Sequence, residues 1–225
     1  MMAEIADLKA EVLTDLGQRL ALLDIALQGF SHAGLERPLL WNMEQALNIL
    51  ESYKPLLASD AQHALVEHFE NGFREQVLPV QDKLRRAVIH NDAHRGNVLV
   101  DEDGLQVTSI IDFGDMVNSW LVVEPAIAAT YAMLGQVDPL GNAQTLLRGY
   151  HQTLPLTSTE ISLVFELMCM RLCMSVCIGA HQRRLEPDNE YLGIDEQQCW
   201  ELLAELQTVN YRDARTMMLA ACDLK

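Results

Sequence analysis

The sequence predicts a mainly α-helical fold with one small β-hairpin. Apolar residues recur at helical spacing along most of the 225 residues, and a single pair of short β-branched runs is joined by a polar turn. Hydrophobic residues make up 49% of the chain, which is enough to bury a full core. We interpret residues 1–225 as one domain in three parts: a helical lead-in at 1–87, a loop and hairpin at 88–115, and a helical subdomain at 116–225.

The first predicted element is an amphipathic helix that ends near Gly29. Its apolar residues alternate three and four apart and form a narrow seam, which consists of Leu13, Leu16, Leu20, Leu23, Leu27 and Phe30. The seam spans fewer than the roughly three or four heptads typical of a coiled coil. We therefore favour packing against later helices of the same chain over a coiled-coil dimer.

Capping and turn residues divide the next segment into short helices. One helix is predicted over residues 42–53 and ends before Pro55, because the residue before a proline disfavours helical geometry. Ser59 and Asp60 can cap a second helix over residues 61–73.

A basic cluster of Lys83, Arg85 and Arg86 follows a short helix that Pro79 can open. Basic residues at a helix end commonly form a solvated face that complements the helix dipole, and we favour this interpretation. The alternative is that the cluster steers phosphate toward the next loop.

The predicted hairpin comes next. The apolar run 98–100 leads into turn residues 101–104, and the β-branched run 107–111 returns. This arrangement brings Asn97, which precedes the first strand, close to Asp112, which follows the second.

The side chains around the hairpin suit phosphoryl transfer. An amide oxygen from Asn97 and a carboxylate from Asp112 are ligands that Mg²⁺ accepts, and Asp92 has room to meet a hydroxyl group. The spacing His-x-Asp-x-x-x-x-Asn followed by Asp-Phe-Gly occurs where the first Asp takes the hydroxyl proton and the other two residues hold the metal. Each residue alone could be a cap, a turn former or a strand-end carboxylate. Their combination in this order favours phosphotransfer.

Two motifs carry a resemblance to a known family. His-Asn-Asp-Ala-His-Arg-Gly-Asn-Val-Leu-Val, starting at His90, and Ile-Ile-Asp-Phe-Gly-Asp-Met, starting at Ile110, resemble the aminoglycoside phosphotransferase and choline kinase-like family, which has a protein-kinase-like fold. Within it they are most similar to the hydroxylysine kinase branch. The resemblance implies Asp92 as catalytic base, Asn97 and Asp112 as Mg²⁺ ligands, ATP as co-substrate, and His90 as the residue that braces the loop.

The resemblance implies transfer of phosphate to a hydroxyl group of a small amine-bearing molecule, such as an aminoglycoside, choline or a hydroxylysine-like compound. His94 and Arg95 are solvated or face the substrate, so both are possible substrate or phosphate contacts. Asp115 is a third possible substrate or phosphate contact, and it either supports the metal site or begins the next turn.

The sequence resembles the C-terminal lobe of this fold, with the N-terminal β lobe absent. No two of the 12 glycines lie closer than five residues, so no glycine-rich phosphate loop is predicted, and none of the lysines lies on a β-branched strand. Two hypotheses remain. The first is a small-molecule kinase whose missing lobe is supplied by another chain or belongs to a longer parent protein. The second is a non-catalytic, pseudokinase-like module for binding or dimerisation. We expect a homodimer or a partner that supplies the N-terminal lobe.

The C-terminal part is predicted to be helical, over residues 126–134, 143–153, 161–184 and from 195 to about 206. A capping-box pattern at Thr157 to Glu160 precedes the third of these helices, and Glu124 suits the dipole at the start of the first.

Cysteines recur every four residues at Cys169, Cys173 and Cys177, so the outer two are separated by about 12 Å of helical rise, too far for one zinc ion. Buried small hydrophobic residues are the favoured interpretation.

The net charge of −16 disfavours nucleic acid or an anionic membrane as partner, since both require clustered basic residues. It suits a cationic substrate such as an amine, although excess acid also simply keeps a surface soluble.

The first residues include Glu4 and Asp7 and lack the basic region of a signal peptide, so we expect a cytoplasmic protein.

Overall fold

The computed structural model describes residues 1–4, 8–186 and 196–224. The helices in these ranges are α1 (Ala10–Ala26), α2 (Ala46–Tyr53), α3 (Asp60–Gln76), α4 (Val123–Met133), α5 (Pro139–Thr153), α6 (Ser158–Ile161), α7 (Val164–Leu185), α8 (Glu196–Leu206) and α9 (Tyr211–Ala221). The strands are β1 (Arg86–Ile89), β2 (Val98–Val100), β3 (Val107–Ile110) and β4 (Val117–Trp120). The predicted mainly α-helical class is confirmed.

The four strands form two separate antiparallel pairs. β2 and β3 make the predicted hairpin, with Val98 opposite Ile110. β1 pairs with β4, with Ile89 opposite Val117, and this second pair was not predicted because no turn joins its two strands in sequence. The β1–β4 pair holds together the two ends of the segment that carries the candidate site residues.

Helices α1 and α5 approach each other at backbone distance. A Cβ atom added at Gly17 would lie 2.1 Å from the carbonyl oxygen of Leu146, and one added at Gly149 would lie 2.3 Å from that of Thr14. The buried residues of the predicted seam are Leu13, Leu16 and Leu20. Packing of this helix within the chain is therefore confirmed, although Phe30 lies beyond the end of α1 and is 49% exposed.

Helix α7 runs through the core. Cys169, Cys173 and Cys177 on this helix are buried and free, as predicted, and burial raises the pKa of each thiol. Of the helices in the described part of the chain, α7 is the one with the length and apolar composition to cross a membrane. Because 83% of its apolar window is buried inside the protein, core packing accounts for that composition.

Two predicted helix starts are confirmed by their capping bonds. The Ser59 side chain accepts a hydrogen bond from the backbone N–H of Gln62 at the start of α3. Thr157 and Glu160 form a reciprocal capping box at the start of α6. The single long helix predicted after this box is interrupted, because α6 ends at Ile161 and α7 begins three residues later.

The chain after α4 differs from the prediction in two places. Helix α5 begins at Pro139, four residues before the predicted start at residue 143, since proline is tolerated in the first helical turn and the Asp138 side chain caps the helix. Helix α9, capped by the side chain of Asn210, was not predicted as a separate element. The predicted helix start at residue 195 lies outside the described residues.

The interpretation of the basic cluster as a solvated helix end is wrong for two of its three members. Arg85 pairs with the fully buried carboxylate of Glu160, with 2.6 Å between Nη2 and Oε2. Arg86 lies in β1 and pairs with Glu44, with 2.7 Å between Nη1 and Oε2. These arginines join separate elements of the fold, whereas Lys83 ends a short 3₁₀ helix, Leu78–Lys83.

Candidate active site

The loop between β1 and β2 carries the predicted catalytic residue. The loop turns sharply at Asn91, whose φ of 67° lies in the left-handed region that asparagine tolerates better than most residues. The Asn91 backbone N–H donates to the Glu124 carboxylate at 3.0 Å, and its side-chain amide donates to the carbonyl of Trp41 at 3.4 Å. Asn91 is fully buried, so the entry of the loop is fixed by both backbone and side chain.

The ring of His90 joins this loop to the end of the hairpin. Its Nδ1 accepts a hydrogen bond from the backbone N–H of Asp92 at 3.3 Å. The proton therefore resides on Nε2, which donates to the carbonyl oxygen of Ile111 at 3.0 Å. Since Ile111 precedes Asp112, His90 links the segment that bears one predicted site carboxylate to the segment that bears the other.

The side chain of Asp92 is 21% exposed and is held at both oxygens. Its Oδ2 accepts a hydrogen bond from Asn97 Nδ2 at 2.9 Å, and its Oδ1 lies 3.4 Å from Arg171 Nη2. Burial raises the pKa of Asp92, the charges of His94 and Arg171 oppose this rise, and the charge of Asp115 adds to it. The carboxylate is oriented by its neighbours and still open to a substrate.

The hairpin brings the backbones of the two predicted metal ligands together. The backbone N–H of Ile111 donates to the carbonyl of Asn97 at 2.9 Å, and Asp112 is the next residue. Asp112 is exposed, has a left-handed φ of 63°, and accepts a hydrogen bond from the Gly114 N–H at 3.1 Å. The Asn97 side-chain nitrogen donates to Asp92, which leaves the amide oxygen as the Asn97 side-chain atom suited to a cation.

These two ligands fit a magnesium ion that is shared with a nucleotide. Within the part of the chain that the structure describes, no group of three or more His, Cys, Asp or Glu side chains could hold a metal by itself. Magnesium commonly takes only one or two carboxylates, together with substrate phosphates and waters. Asn97 and Asp112 match this incomplete, all-oxygen donor set.

The remaining predicted contacts differ in position. The His94 side chain is 39% exposed, and its Nε2 lies 3.7 Å from Asp92 Oδ2. The Arg95 guanidinium donates to the carbonyl of Met2 at 3.4 Å, so it contacts the N-terminal residues. Asp115 is partly buried and close enough to Asp92 to affect its pKa. The structure thus groups His94 and Asp115 with the candidate base.

Sequence reasoning missed Arg171, which contacts the candidate base from α7. Its side chain is 1% exposed, and its guanidinium carbon lies 4.5 Å from the ring centroid of Trp41 and 5.5 Å from that of Tyr131. The available signal was one arginine within the apolar run of a long predicted helix, where an unpaired charge is costly.

Sequence reasoning gave Glu124 only part of its role. Glu124 lies in the first turn of α4, as interpreted, but it is also fully buried and binds the Asn91 N–H. Burial raises the pKa of Glu124, while His90 and the backbone N–H of Asn91 oppose the rise. Helix α4 begins at Val123, three residues before the predicted start at residue 126.

The sequence is similar to that of characterised kinases. It is 32% identical to hydroxylysine kinase of Mus musculus over 217 residues, which cover 91% of this chain and 57% of the mouse protein. It is 29% identical to hydroxylysine kinase of Bos taurus over 208 residues, which cover 87% of this chain and 55% of the bovine protein. The chain spans little more than half the length of these relatives.

The fold is that of small-molecule kinases. The chain resembles the crystal structure of a choline/ethanolamine kinase family protein from Mesorhizobium loti, with a TM-score of 0.65 and 14% identity. The match covers 94% of this chain and 65% of the Mesorhizobium loti chain. At this identity the likeness concerns the fold alone. The model of the phosphotransferase enzyme family, APH, matches residues 3–158, which is more than half of the chain. Together with the site geometry, this match shows that the chain belongs to the APH phosphotransferase family.

Proposed function

We propose that this chain carries out ATP- and Mg²⁺-dependent phosphoryl transfer to a hydroxyl group of a small amine-bearing molecule. The observation that carries the proposal is the geometry around Asp92. Its carboxylate is held by Asn97 and Arg171 and remains partly exposed, while His90 links its loop to the segment of Asp112. This geometry supports a role for Asp92 as the base and for Asn97 and Asp112 as oxygen ligands at one end of the hairpin.

Each residue has a defined task in the proposed reaction. Asp92 accepts the proton of the acceptor hydroxyl as the hydroxyl oxygen attacks the γ-phosphorus of ATP, and ADP leaves with the electron pair of the broken P–O bond. Asn97 and Asp112 would hold Mg²⁺, which neutralises charge on the phosphates when bound. Through its hydrogen bonds to Asp92 and Ile111, His90 fixes the loop that carries Asp92 relative to the segment that carries Asp112.

The amine-bearing acceptor is supported by the relatives and by charge. Two of the similar proteins are a hydroxylysine kinase and an aminopropanol kinase, both named for substrates with an amine and a hydroxyl group. The net charge of −16 favours the approach of a cationic molecule over that of an anionic one. Another structural neighbour, the amicoumacin kinase hAmiN, was solved with AMP-PNP and Ca²⁺, which supports a nucleotide and a divalent cation as the proposed co-substrate and cofactor.

An apolar surface beside Asp112 supports contact with a further partner or lobe. A shallow cavity of about 280 Å³ is lined by apolar residues that include Leu22, Ile110 and Phe113, and Leu22 and Phe113 are 52% and 46% exposed. Exposed apolar patches commonly mark contact sites. The homodimer, the partner that supplies a second lobe and the cytoplasmic location stay predictions.

The first experiment is calorimetric titration of the chain with ATP and Mg²⁺, followed by assay of phosphate transfer to hydroxylysine. We expect Asp112→Ala to abolish metal-dependent binding, because it removes the carboxylate ligand. Asp92→Asn should keep that binding and lower turnover by about 10²- to 10⁴-fold, the usual contribution of a general base.

Asp103→Asn is the matched control, because Asp103 is an exposed carboxylate in the turn of the same hairpin. It should leave both binding and turnover unchanged. Turnover by Asp92→Asn at the wild-type rate would exclude Asp92 as the base. Binding of ATP without transfer to any hydroxylated amine would instead favour the non-catalytic module.

A further inference from the structure

We propose that Arg171 is a positioning residue that orients the carboxylate of Asp92 for proton transfer. This inference rests on the proposed function and adds a residue from α7 to a site that is otherwise built from one loop and one hairpin. It concerns Arg171 acting through Asp92, since the buried guanidinium is not placed to touch a substrate itself.

The contacts of Arg171 fix its guanidinium in one place. Nε donates to the hydroxyl oxygen of Tyr131 at 3.2 Å, Nη1 donates to the carbonyl of Trp41 at 3.2 Å, and Nη2 faces Asp92 Oδ1 at 3.4 Å. The guanidinium carbon lies 4.5 Å from the centroid of the Trp41 ring, within the range of a cation–π contact. Each nitrogen of the planar group therefore has a separate partner.

Packing alone does not account for an arginine at this position. The side chain is 1% exposed, and a buried charge is costly unless it is paired and hydrogen-bonded. The carboxylate that faces it is that of Asp92, which is itself partly exposed. The chain thus places this buried cation against the carboxylate that is proposed as the general base.

The arrangement constrains the rotation of the Asp92 side chain. Asn97 binds Oδ2 at 2.9 Å, and the guanidinium faces Oδ1 from the side of α7. A carboxylate held at both oxygens presents a fixed lone pair to an incoming hydroxyl group, and small errors in such geometry cost about 10²-fold in rate. Loss of Arg171 should leave Oδ1 of Asp92 unconstrained, while Asn97 and Asp112 stay in place.

The test compares Arg171→Met with Arg171→Lys in the same phosphate-transfer assay. We expect Arg171→Met to lower kcat by about 100-fold with little change in the KM for ATP, because the metal ligands are intact. Arg171→Lys should recover part of the loss, since it restores a cation but not the planar group. Millimolar guanidinium should raise the kcat of Arg171→Ala by occupying the vacated space.

Arg148→Met is the matched structural control, because Arg148 also joins two helices through a hydrogen bond, to the carbonyl of Ala221 at 3.0 Å, but does not contact Asp92. Equal kcat values for the folded fractions of Arg148→Met and Arg171→Met would overturn the proposal, as would a lack of rescue by guanidinium.

The failure of the proposed function is distinguishable from failure of this inference. If the wild-type chain transfers no phosphate, the proposed function fails. The positioning role of Arg171 is then tested by amide hydrogen exchange of residues 90–97. Faster exchange in Arg171→Met than in Arg148→Met, reversed in Arg171→Ala by guanidinium, would support the positioning role. Equal exchange in the two methionine variants would overturn it.

Discussion

The rim of the candidate site and a set of buried charged residues, termed the buried charged layer, are built in opposite ways. The rim consists of Ile111, Asp112 and Phe113, and the buried charged layer consists of Glu124, Glu160 and Arg171. Ile111 and Phe113 are 36% and 46% exposed, whereas no member of the buried charged layer is more than 1% exposed. The rim residues are consecutive in the sequence, whereas the residues of the buried charged layer lie in three different helices, α4, α6 and α7.

This difference indicates that reactive groups and supporting groups obey different constraints. As a proposed metal ligand, Asp112 has to remain open to solvent, and a local hydrogen bond from the Gly114 N–H holds its side chain in position. Glu124 binds the Asn91 N–H from within the core, where loss of water strengthens a hydrogen bond and makes an unpaired group costly. The rim can therefore vary at small cost in stability, and the layer cannot.

The largest expected effect comes from breaking an ion pair of the buried charged layer. Arg85→Met leaves the fully buried Glu160 carboxylate without its cation, although the capping bonds to Thr157 remain. We expect the free energy of unfolding to fall by about 3 kcal/mol, the lower end of the usual cost of breaking a buried pair. Urea denaturation measures this change.

The neighbouring arginine provides the matched control for that experiment. Arg86 is 47% exposed and pairs with a partly exposed Glu44, so Arg86→Met should cost less than about 1 kcal/mol. Equal losses in the two variants would mean that burial of the carboxylate does not set the energy of these pairs.

A second prediction concerns pH and Glu166 in the first turn of α7. Glu166 is 4% exposed, and burial raises its pKa from 4.5 to about 7. Because the folded pKa exceeds the unfolded one, the native state binds more protons between these values, and the free energy of unfolding falls as pH rises through this window. The full penalty above pH 7 is roughly 3 kcal/mol.

Glu166→Gln removes this titration. We expect the variant to be more stable than wild type at about pH 8 and close to wild type at about pH 5, as measured by denaturant unfolding at both values. Glu67→Gln, at an exposed position of α3, should show no such difference. A wild-type stability that is flat across the window would contradict the prediction.

The smallest expected effect is at the rim. The Phe113 ring is 46% exposed and contacts the edge of the His90 ring at a centroid distance of 4.9 Å. Phe113→Ala should lower the free energy of unfolding, measured by thermal denaturation, by about 1 kcal/mol or less. Phe165→Ala, at a buried ring that contacts Tyr211 edge-on, should cost about 3 to 5 kcal/mol. A cost for Phe113→Ala as large as that for Phe165→Ala would remove the distinction between rim and core.

Much of the fold could be predicted from local patterns. The cap at Ser59, the capping box at Thr157 and the hairpin turn at residues 101–104 depend on residues a few positions apart, and each formed as predicted. The β1–β4 pair and the ion pair of Arg85 with Glu160 join segments that are distant in sequence. Neither leaves a periodic pattern in the chain.

The sequence by itself determined the family, the helical class and the short motifs that bear Asp92, Asn97 and Asp112, because these depend on residue type and on spacing within one segment. Only the tertiary structure decided that Glu124 and Arg171 support the loop from the core. Their partners are set by how α4 and α7 pack beneath the loop, and a buried charge selects its partner by distance in space rather than in sequence.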